Sequence, residues 1–370
     1  MHVMHMIDSL APGGAERMLV DIANATVAAD QPVSVCVTRK RTDLADQLRP
    51  EIDLMVLGRR RRFELRPLRR FADRARRAGV DLLHAHGRST AALAVALQLL
   101  GWLRCSILLH DHYGIELDAT VPLWFKHLGC RRIAHYVGVC SRLAAWAETA
   151  GVPRERISVI ENALDLERLL RAEPIDLRRL LAIDDDRRIG LVVGGLREEK
   201  GIDLLIEAFS RCRRGLATLL IVGGPRQVGY EERCRQQVAA LGLGDEVLFL
   251  GERKDVAGLI KGADFAVVPS RSESGPLVLI EFLTAGLPFV ATGVGAVAQR
   301  IAALGVPDII PAGSVEAMRS ALEELLGLSR KRLRERGSCG LALARRHFDV
   351  KDTASRWRDL YRRVLEKPNR

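Results

Sequence analysis

The chain has 370 residues, 48% hydrophobic and 28% charged, and its 57 Lys and Arg against 46 Asp and Glu leave a net charge of +11. That length suits two domains of roughly 150–200 residues each, and the balance excludes a disordered or fibrous chain. The longest apolar stretch, Ala91 to Leu103, is 13 residues long, contains Gln98 and lies between Arg88 and Arg104, so it reads as a buried helix and not a bilayer span. The start, Met1 to Asp8, lacks the charged and apolar regions of a signal peptide. The seven cysteines form no C-x-x-C pair, which fits buried thiols in a reducing compartment. A cytoplasmic protein is expected, with peripheral attachment to the inner face of the cell membrane as an extension of that reading.

β-rich runs alternate with helical periods along the chain. Strands are predicted at Val3–Ile7, Val33–Thr38, Leu54–Leu57, Leu82–His86, Ile107–His110, Tyr136–Cys140 and Ile157–Ile160. After a charged break at Asp165–Arg188 they resume at Gly190–Val193, Leu219–Val222, Val247–Leu250, Phe265–Pro269 and Phe289–Thr292. Helix faces show as Ala15, Met18, Leu19, Ile22, Ala23 and as Ile202, Leu205, Ile206, Phe209. Runs apolar on both faces and separated by helices imply parallel sheets covered on both sides. The reading is α/β with two doubly wound domains, 1–168 and 169–351, and a final helix over 352–370 packing back on the first. Such sheets bind ligands at the carboxyl ends of their strands.

Much of the charge sits in Arg59 to Arg77, where ten arginines face only Glu64 and Asp73 and are threaded with Phe63, Leu65, Leu68, Phe71 and Ala75. A solvated helix face and a surface for anionic lipid headgroups both fit this pattern. Nucleic acid is not expected, because no binding motif or stacking array accompanies the arginines.

Two loops carry the chemistry. After one strand comes Gly194-Gly195-Leu196-Arg197-Glu198-Glu199-Lys200-Gly201, leading into a helix. A glycine turn at a helix N-terminus with Arg197 and Lys200 suits a diphosphate, and two solvated cations on an ordinary loop are the plain alternative. After another strand, Glu273 lies in a loop and Glu281 on the following helix, with Pro276 expected as the first helical residue. Glu281 interrupts an apolar helix, Leu277 to Leu283, and needs a partner there. Donor hydroxyls of a sugar and a structural salt bridge both satisfy it.

The Glu273-x₇-Glu281 spacing within Glu-Ser-Gly-Pro-Leu-Val-Leu-Ile-Glu, followed by Ala285-Gly286-Leu287-Pro288, resembles the signature of glycosyltransferase family four. Arg197 and Lys200 stand where that family has its pyrophosphate-binding pair. Gly13-Gly14-Ala15-Glu16-Arg17 is similar to its N-terminal glycine loop, and Glu161-Asn162-Ala163-Leu164-Asp165 to its Asn-Gly-Val-Asp segment. The resemblance implies a GT-B fold, with two facing Rossmann-like domains and a cleft between them, and a retaining sugar transfer without metal or other cofactor. Its donor would be a nucleoside-diphosphate sugar, and its acceptor a lipid-linked saccharide, phospholipid or polysaccharide of the cell envelope. It also implies that Arg197 and Lys200 neutralise the leaving diphosphate, Glu273 holds the donor sugar and Glu281 the ribose. Gly14 would let backbone approach the ligand, with Gly13 beside it, and Gly195, Gly275, Leu277 and Val278 complete the donor-binding set. The family histidine falls on His112 or His110, with His112 favoured, and Asn162 and Asp255 are further candidates. The chain departs from the family at Ser274-Gly275-Pro276, where Glu-x-Phe-Gly is frequent, at Ala163, and at Gly293 to Gln299. An epimerase or hydrolase of nucleotide sugars on the same fold, and a non-catalytic membrane- or nucleic-acid-binding relative, are the competing readings.

Three other patterns are read as structural. Asp184-Asp185-Asp186 precedes a strand and reads as a linker turn. His84-x-His86 and His110-x-His112 lack a cysteine or carboxylate at metal-ligand spacing, so no metal is expected. Gly293-x-Gly295-x-x-Ala298 lacks the acidic residue that a dinucleotide site requires.

Overall fold

A computed structural model describes residues 1–28, 31–61, 64–112, 122–306 and 308–366. The chain forms two compact units, Met1–Leu164 together with Val350 onward, and Asp165–Asp349.

The first unit carries a parallel sheet of seven strands in the order β3-β2-β1-β4-β5-β6-β7. These are β1 (Val3–Ile7), β2 (Val33–Val37), β3 (Asp53–Val56), β4 (Leu82–His86), β5 (Ser106–Asp111), β6 (His135–Gly138) and β7 (Ile157–Val159). Every residue of β1, β2, β4, β5 and β6 is buried, whereas β3, at the sheet edge, exposes Asp53 and Val56. Its helices are α1 (Gly14–Val27), α2 (Leu65–Arg77), α3 (Arg88–Leu99), α4 (Ser141–Thr149) and α15 (Val350–Glu366). The stretch read from composition as a buried helix is α3, with Ala91, Ala94 and Val95 fully buried.

The basic segment divides in two. In α2, Leu68, Phe71, Ala72 and Ala75 face the core, while Arg66, Arg69, Arg70, Arg74, Arg76 and Arg77 are exposed. Arg59, counted in the sequence as part of the exposed strip, is instead only 8% exposed. Arg62 and Phe63 lie outside the described residues.

The second unit holds a six-stranded parallel sheet in the order β10-β9-β8-β11-β12-β13. Its strands are β8 (Arg188–Val193), β9 (Ala217–Val222), β10 (Val247–Gly251), β11 (Phe265–Val268), β12 (Phe289–Thr292) and β13 (Ile309–Ile310). The last is two residues long, too short to leave a periodic signal in the sequence. The charged break is not featureless: it contains α5 (Leu166–Arg171) and α6 (Leu177–Leu181), whose first turns are capped by the carboxylates of Asp165 and Asp176. Asp184–Asp186 then forms a turn, with Arg187 N donating to the Asp184 carbonyl at 3.2 Å. The remaining helices are α7 (Ile202–Ser210), α8 (Tyr230–Ala240), α9 (Val256–Gly262), α10 (Leu277–Ala285), α11 (Ala296–Ala303), α12 (Val315–Gly327), α13 (Arg330–Gly337) and α14 (Gly340–His347).

The chain returns to the first unit through α15, anchored where Val350 N donates to the Leu164 carbonyl at 2.9 Å. Trp357, Leu360, Tyr361 and Val364 form its buried face, and the Trp357 ring lies 4.9 Å from His84 and 4.7 Å from His110 between centroids. Trp357→Ala should therefore lower stability by about 3–5 kcal/mol, read as a fall in the urea midpoint. A loss below roughly 1 kcal/mol would mean that α15 is an optional appendage.

Candidate functional site

In the second unit the strand order reverses between β8 and β11. Open parallel sheets bind ligands beyond the carboxyl ends of strands at such a switch point. The loops that leave β8 and β11 there are stitched together, with Arg271 N donating to the Glu199 carbonyl at 2.7 Å. The β8 loop ends in one 3-10 turn, Glu198–Lys200, before α7 begins, so the cations do not sit directly on a helix as the sequence suggested. Gly201 makes the corner at φ +64°, and a Cβ there would strike the Pro269 carbonyl.

This geometry brings Lys200 and Glu273 together. Lys200 Nζ lies 2.5 Å from Glu273 Oε1, which also accepts a hydrogen bond from Ser270 Oγ at 2.8 Å. The Glu273 side chain is 8% exposed, so its charge is answered mainly by these two partners. The β12 loop supports it: Gly295 has φ +84°, a Cβ added there would come 3.0 Å from Glu273 Cβ, and Ala296 N donates to the Ser274 carbonyl at 2.8 Å. Glu281, on α10, pairs with Arg168 Nη2 from α5 at 2.6 Å. The salt bridge considered for Glu281 thus exists, and its partner comes from 113 residues earlier.

The other candidates of this unit spread around the pair. Arg197 is 3.7 Å from Glu199 and about a third exposed. Gly195 is half-buried in the β8 loop, Gly275 is buried before α10, and Leu277 and Val278 are half-buried in its first turn. Pro276 is the N-cap of α10 with ψ 107°, one position before the place expected for it. Asp255 stands apart, at the start of α9 after the outer strand β10, in a bidentate pair with Arg253 at 2.6 and 2.8 Å. That pairing holds its carboxyl below the usual range.

In the first unit the order reverses between β1 and β4. Gly13 is the N-cap of α1 in extended conformation and Gly14 its first residue, exposed. Beside them Asp8 accepts from Ser89 Oγ at 2.9 Å and Thr38 Oγ1 at 2.5 Å, and Arg59 lies 3.5 Å away. Asn162 is buried beyond β7. Asp111 ends β5 in a buried network, accepting from Arg88 Nε at 2.6 Å and Tyr136 OH at 2.7 Å, while the Arg88 guanidinium lies 3.5 Å from the Trp146 ring centroid.

His110 and His112 have different settings. His110 is 0% exposed, with neither ring nitrogen hydrogen-bonded among the described residues. His112, just past β5, places Nε2 3.1 Å from His86 Nδ1, and His86 Nε2 lies 3.0 Å from His5 Nδ1. Tyr113 and Gly114, the rest of that segment, lie outside the described residues. Five histidines thus line the inner face of β1, β4 and β5: His5, His84, His86, His110 and His112. Burial holds His5 and His112 near pKa about 3 and keeps His84, His86 and His110 well below the ordinary value, with neighbouring histidines adding to the effect in these three.

Arg168, Ser270, Asp8, Arg88 and His5 were not singled out from the sequence. Only His5 left a signal there, a polar residue on an otherwise apolar strand.

Two family models match the chain, "Glycosyltransferase Family 4" over residues 12–168 and "Glycosyl transferases group 1" over residues 175–338. Among curated proteins, the lipopolysaccharide core biosynthesis mannosyltransferase LpsB of Rhizobium meliloti is 28% identical over 62% of this chain and 66% of its own. The D-inositol 3-phosphate glycosyltransferase of Mycobacteroides abscessus is 33% identical over 46% of this chain and 39% of its own. The chain therefore spans less than two thirds of the length of these relatives. Among solved structures, Anabaena HepE in complex with UDP and glucose superposes with a TM-score of 0.79 at 21% identity, covering 97% of this chain and 98% of that one. The two doubly wound units are those of the GT-B fold. The chain belongs to the glycosyltransferases that join a family-four N-terminal domain to a group 1 C-terminal domain.

Unfolding would release these imidazoles, four of them buried and His112 half-buried, to their ordinary pKa of about 6.5. Below that pH the unfolded chain binds protons that the folded chain refuses, so stability is full above about 6.5 and falls as the pH drops toward 3. The slope is up to about 1.4 kcal/mol per pH unit for each histidine. The urea midpoint at about pH 5 should lie well below that at about pH 7.5; equal midpoints would show the rings already hydrated in the native state.

Proposed function

We propose that the protein is a glycosyltransferase that moves a sugar from a nucleoside-diphosphate donor, with retention of configuration and without a metal in the transfer step. The observation that carries this reading is the meeting of Lys200 and Glu273 at the switch point of the second unit, with Glu281 on α10. Cleavage of the anomeric bond leaves negative charge on the diphosphate. Lys200 and Arg197 are the fixed cations offered to it, and loss of one such group typically lowers the rate about 10²–10³-fold. Glu273 and Glu281 offer acceptors to the hydroxyls of the sugar and the ribose. The ion pairs they now make are ones a bound donor would exchange for its own hydroxyl and phosphate contacts.

A sugar-nucleotide donor is supported by the similarity to HepE, whose structure holds UDP and glucose. The acceptor is a lipid-linked saccharide, phospholipid or polysaccharide. Similarity to a lipopolysaccharide core mannosyltransferase supports that class of acceptor. No helix among the described residues is long and apolar enough to cross a membrane. The exposed arginines of α2 are the feature suited to an anionic lipid surface, worth about 1 kcal/mol per arginine near it.

The test is a thermal-shift screen of UDP, GDP, ADP and their sugar conjugates, with and without chelator. A ligand at about 100 times its Kd adds roughly 2.7 kcal/mol to stability. One nucleotide should raise the melting temperature whether or not chelator is present, and the rise should vanish in Arg197→Ala and Glu281→Ala. Glu281→Ala decides the role of Glu281 and Arg168→Ala is its control: as a ribose ligand Glu281 is needed for the shift and Arg168 is not, whereas a carboxylate serving only the ion pair leaves the shift intact in both variants. No shift with any nucleotide overturns the reading.

A further inference from the structure

We propose that His5, His84 and His86 form a binding site for a first-row transition-metal ion of the Zn²⁺ class in the interior of the first unit. The site is separate from the sugar-transfer chemistry. Parallel pairing puts His5 of β1 directly beside His84 of β4, and the two-residue period of β4 puts His86 on the same face. One ring nitrogen from each of the three lies within 4.8 Å of the other two. The rings are 0%, 0% and 4% exposed, with centroids 4.3–5.3 Å apart.

The hydrogen bonding of the cluster is incomplete in a way that suits a cation. His84 Nε2 has no partner among the described residues, although a buried ring nitrogen is normally satisfied. Tyr361 OH lies 2.8 Å from His84 Nδ1. That contact fixes the ring and, with the proton on Nδ1, leaves the Nε2 lone pair open, the arrangement in which an outer partner orients a metal-binding imidazole.

The chemistry of the donors selects the ion. Three imidazoles suit zinc, copper or nickel, whereas calcium and magnesium require oxygen ligands. On binding, the His5 Nδ1 to His86 Nε2 hydrogen bond gives way to two metal–nitrogen bonds, and each ring keeps one N–H. Water takes the fourth position and can lose a proton near neutrality, which offsets part of the cation's charge. His110, with both ring nitrogens unpartnered among the described residues and its ring 5.3 Å from those of His84 and His86, is placed to hydrogen-bond that water.

The full chain, stripped with chelator and dialysed, is titrated calorimetrically with Zn²⁺ alone, and in parallel with Co²⁺ as a visible-absorption probe. The expected result is one equivalent bound per chain, a rise in melting temperature, and an intense Co²⁺ spectrum typical of four-coordination. Binding should survive Cys339→Ser, which removes the exposed thiol, and be lost in His84→Gln and His5→Gln. No binding overturns the proposal, as does binding that survives in both histidine variants or disappears with Cys339. Should the histidine variants fail to fold, X-ray absorption of the wild-type zinc complex decides: imidazole nitrogens dominating the shell support the site, and a shell of sulfur or carboxylate oxygen overturns it. A nucleotide shift that persists in the metal-stripped chain keeps this question separate from that of the donor.

Discussion

Burial of the central strands on both faces is the constraint from which the rest of this molecule follows. A parallel strand covered by helices above and below can carry only apolar side chains along its length, and β2 and β9 obey this almost without exception. Charged residues that must meet a ligand are then confined to the loops beyond the strand ends. The connections turn to opposite faces of the sheet only where the strand order reverses, and the crevice that admits a ligand opens there. The placement of Lys200 after β8 and Glu273 after β11 is thus a consequence of topology, and no individual contact had to be invented to bring them together.

The same constraint explains why the charges of the second unit are paired. Glu273 and Glu281 are mostly buried, and a carboxylate taken from water must be answered. Lys200 and Ser270 answer the first, Arg168 the second. Each carboxylate therefore waits in an ion pair of modest net worth, since desolvation cancels much of the attraction. Groups held in this way exchange partners at little net cost. A polyhydroxylated diphosphate ligand provides both the donors and the acceptors for such an exchange.

How much of this could be read from the sequence depended on distance along the chain. The inner strands announced themselves because burial on both faces forces apolar runs, and among the described strands only β13, at two residues, escaped. Lys200, Glu273 and Glu281 were legible because each lies beside a strand or helix whose period marks it. Their partners were not. Arg168 lies in a charged segment with nothing to distinguish it from Arg171, and it meets Glu281 only because α5 packs against α10. Arg59 looked like one arginine in a run of four, yet the chain turns it inward to Thr38 and Asp8. A sequence pattern fixes the face of an element, and pairing between distant elements decides which polar residues find one another.

The histidines of the first unit show the same rule from the other side. Each pair, His84-x-His86 and His110-x-His112, was set aside because local spacing offered no third ligand. Register supplied it: β1 lies beside β4, and His5 falls opposite His84. The central strands that should be purely apolar carry four imidazoles on one face, with His112 just beyond β5, and α15 lays Trp357 and Tyr361 against His84 and Trp357 against His110. An amphipathic helix that closes over polar rings must meet them with more than hydrocarbon, and the Tyr361 hydroxyl does so at His84. The Trp357 ring packs on both His84 and His110, and its Nε1 has no partner among the described residues, so the Tyr361 hydroxyl at His84 is the polar contact the helix makes there. A core of this kind holds together only while the imidazoles are neutral, which ties the seating of the chain's last helix to the protonation of residues on its first strand.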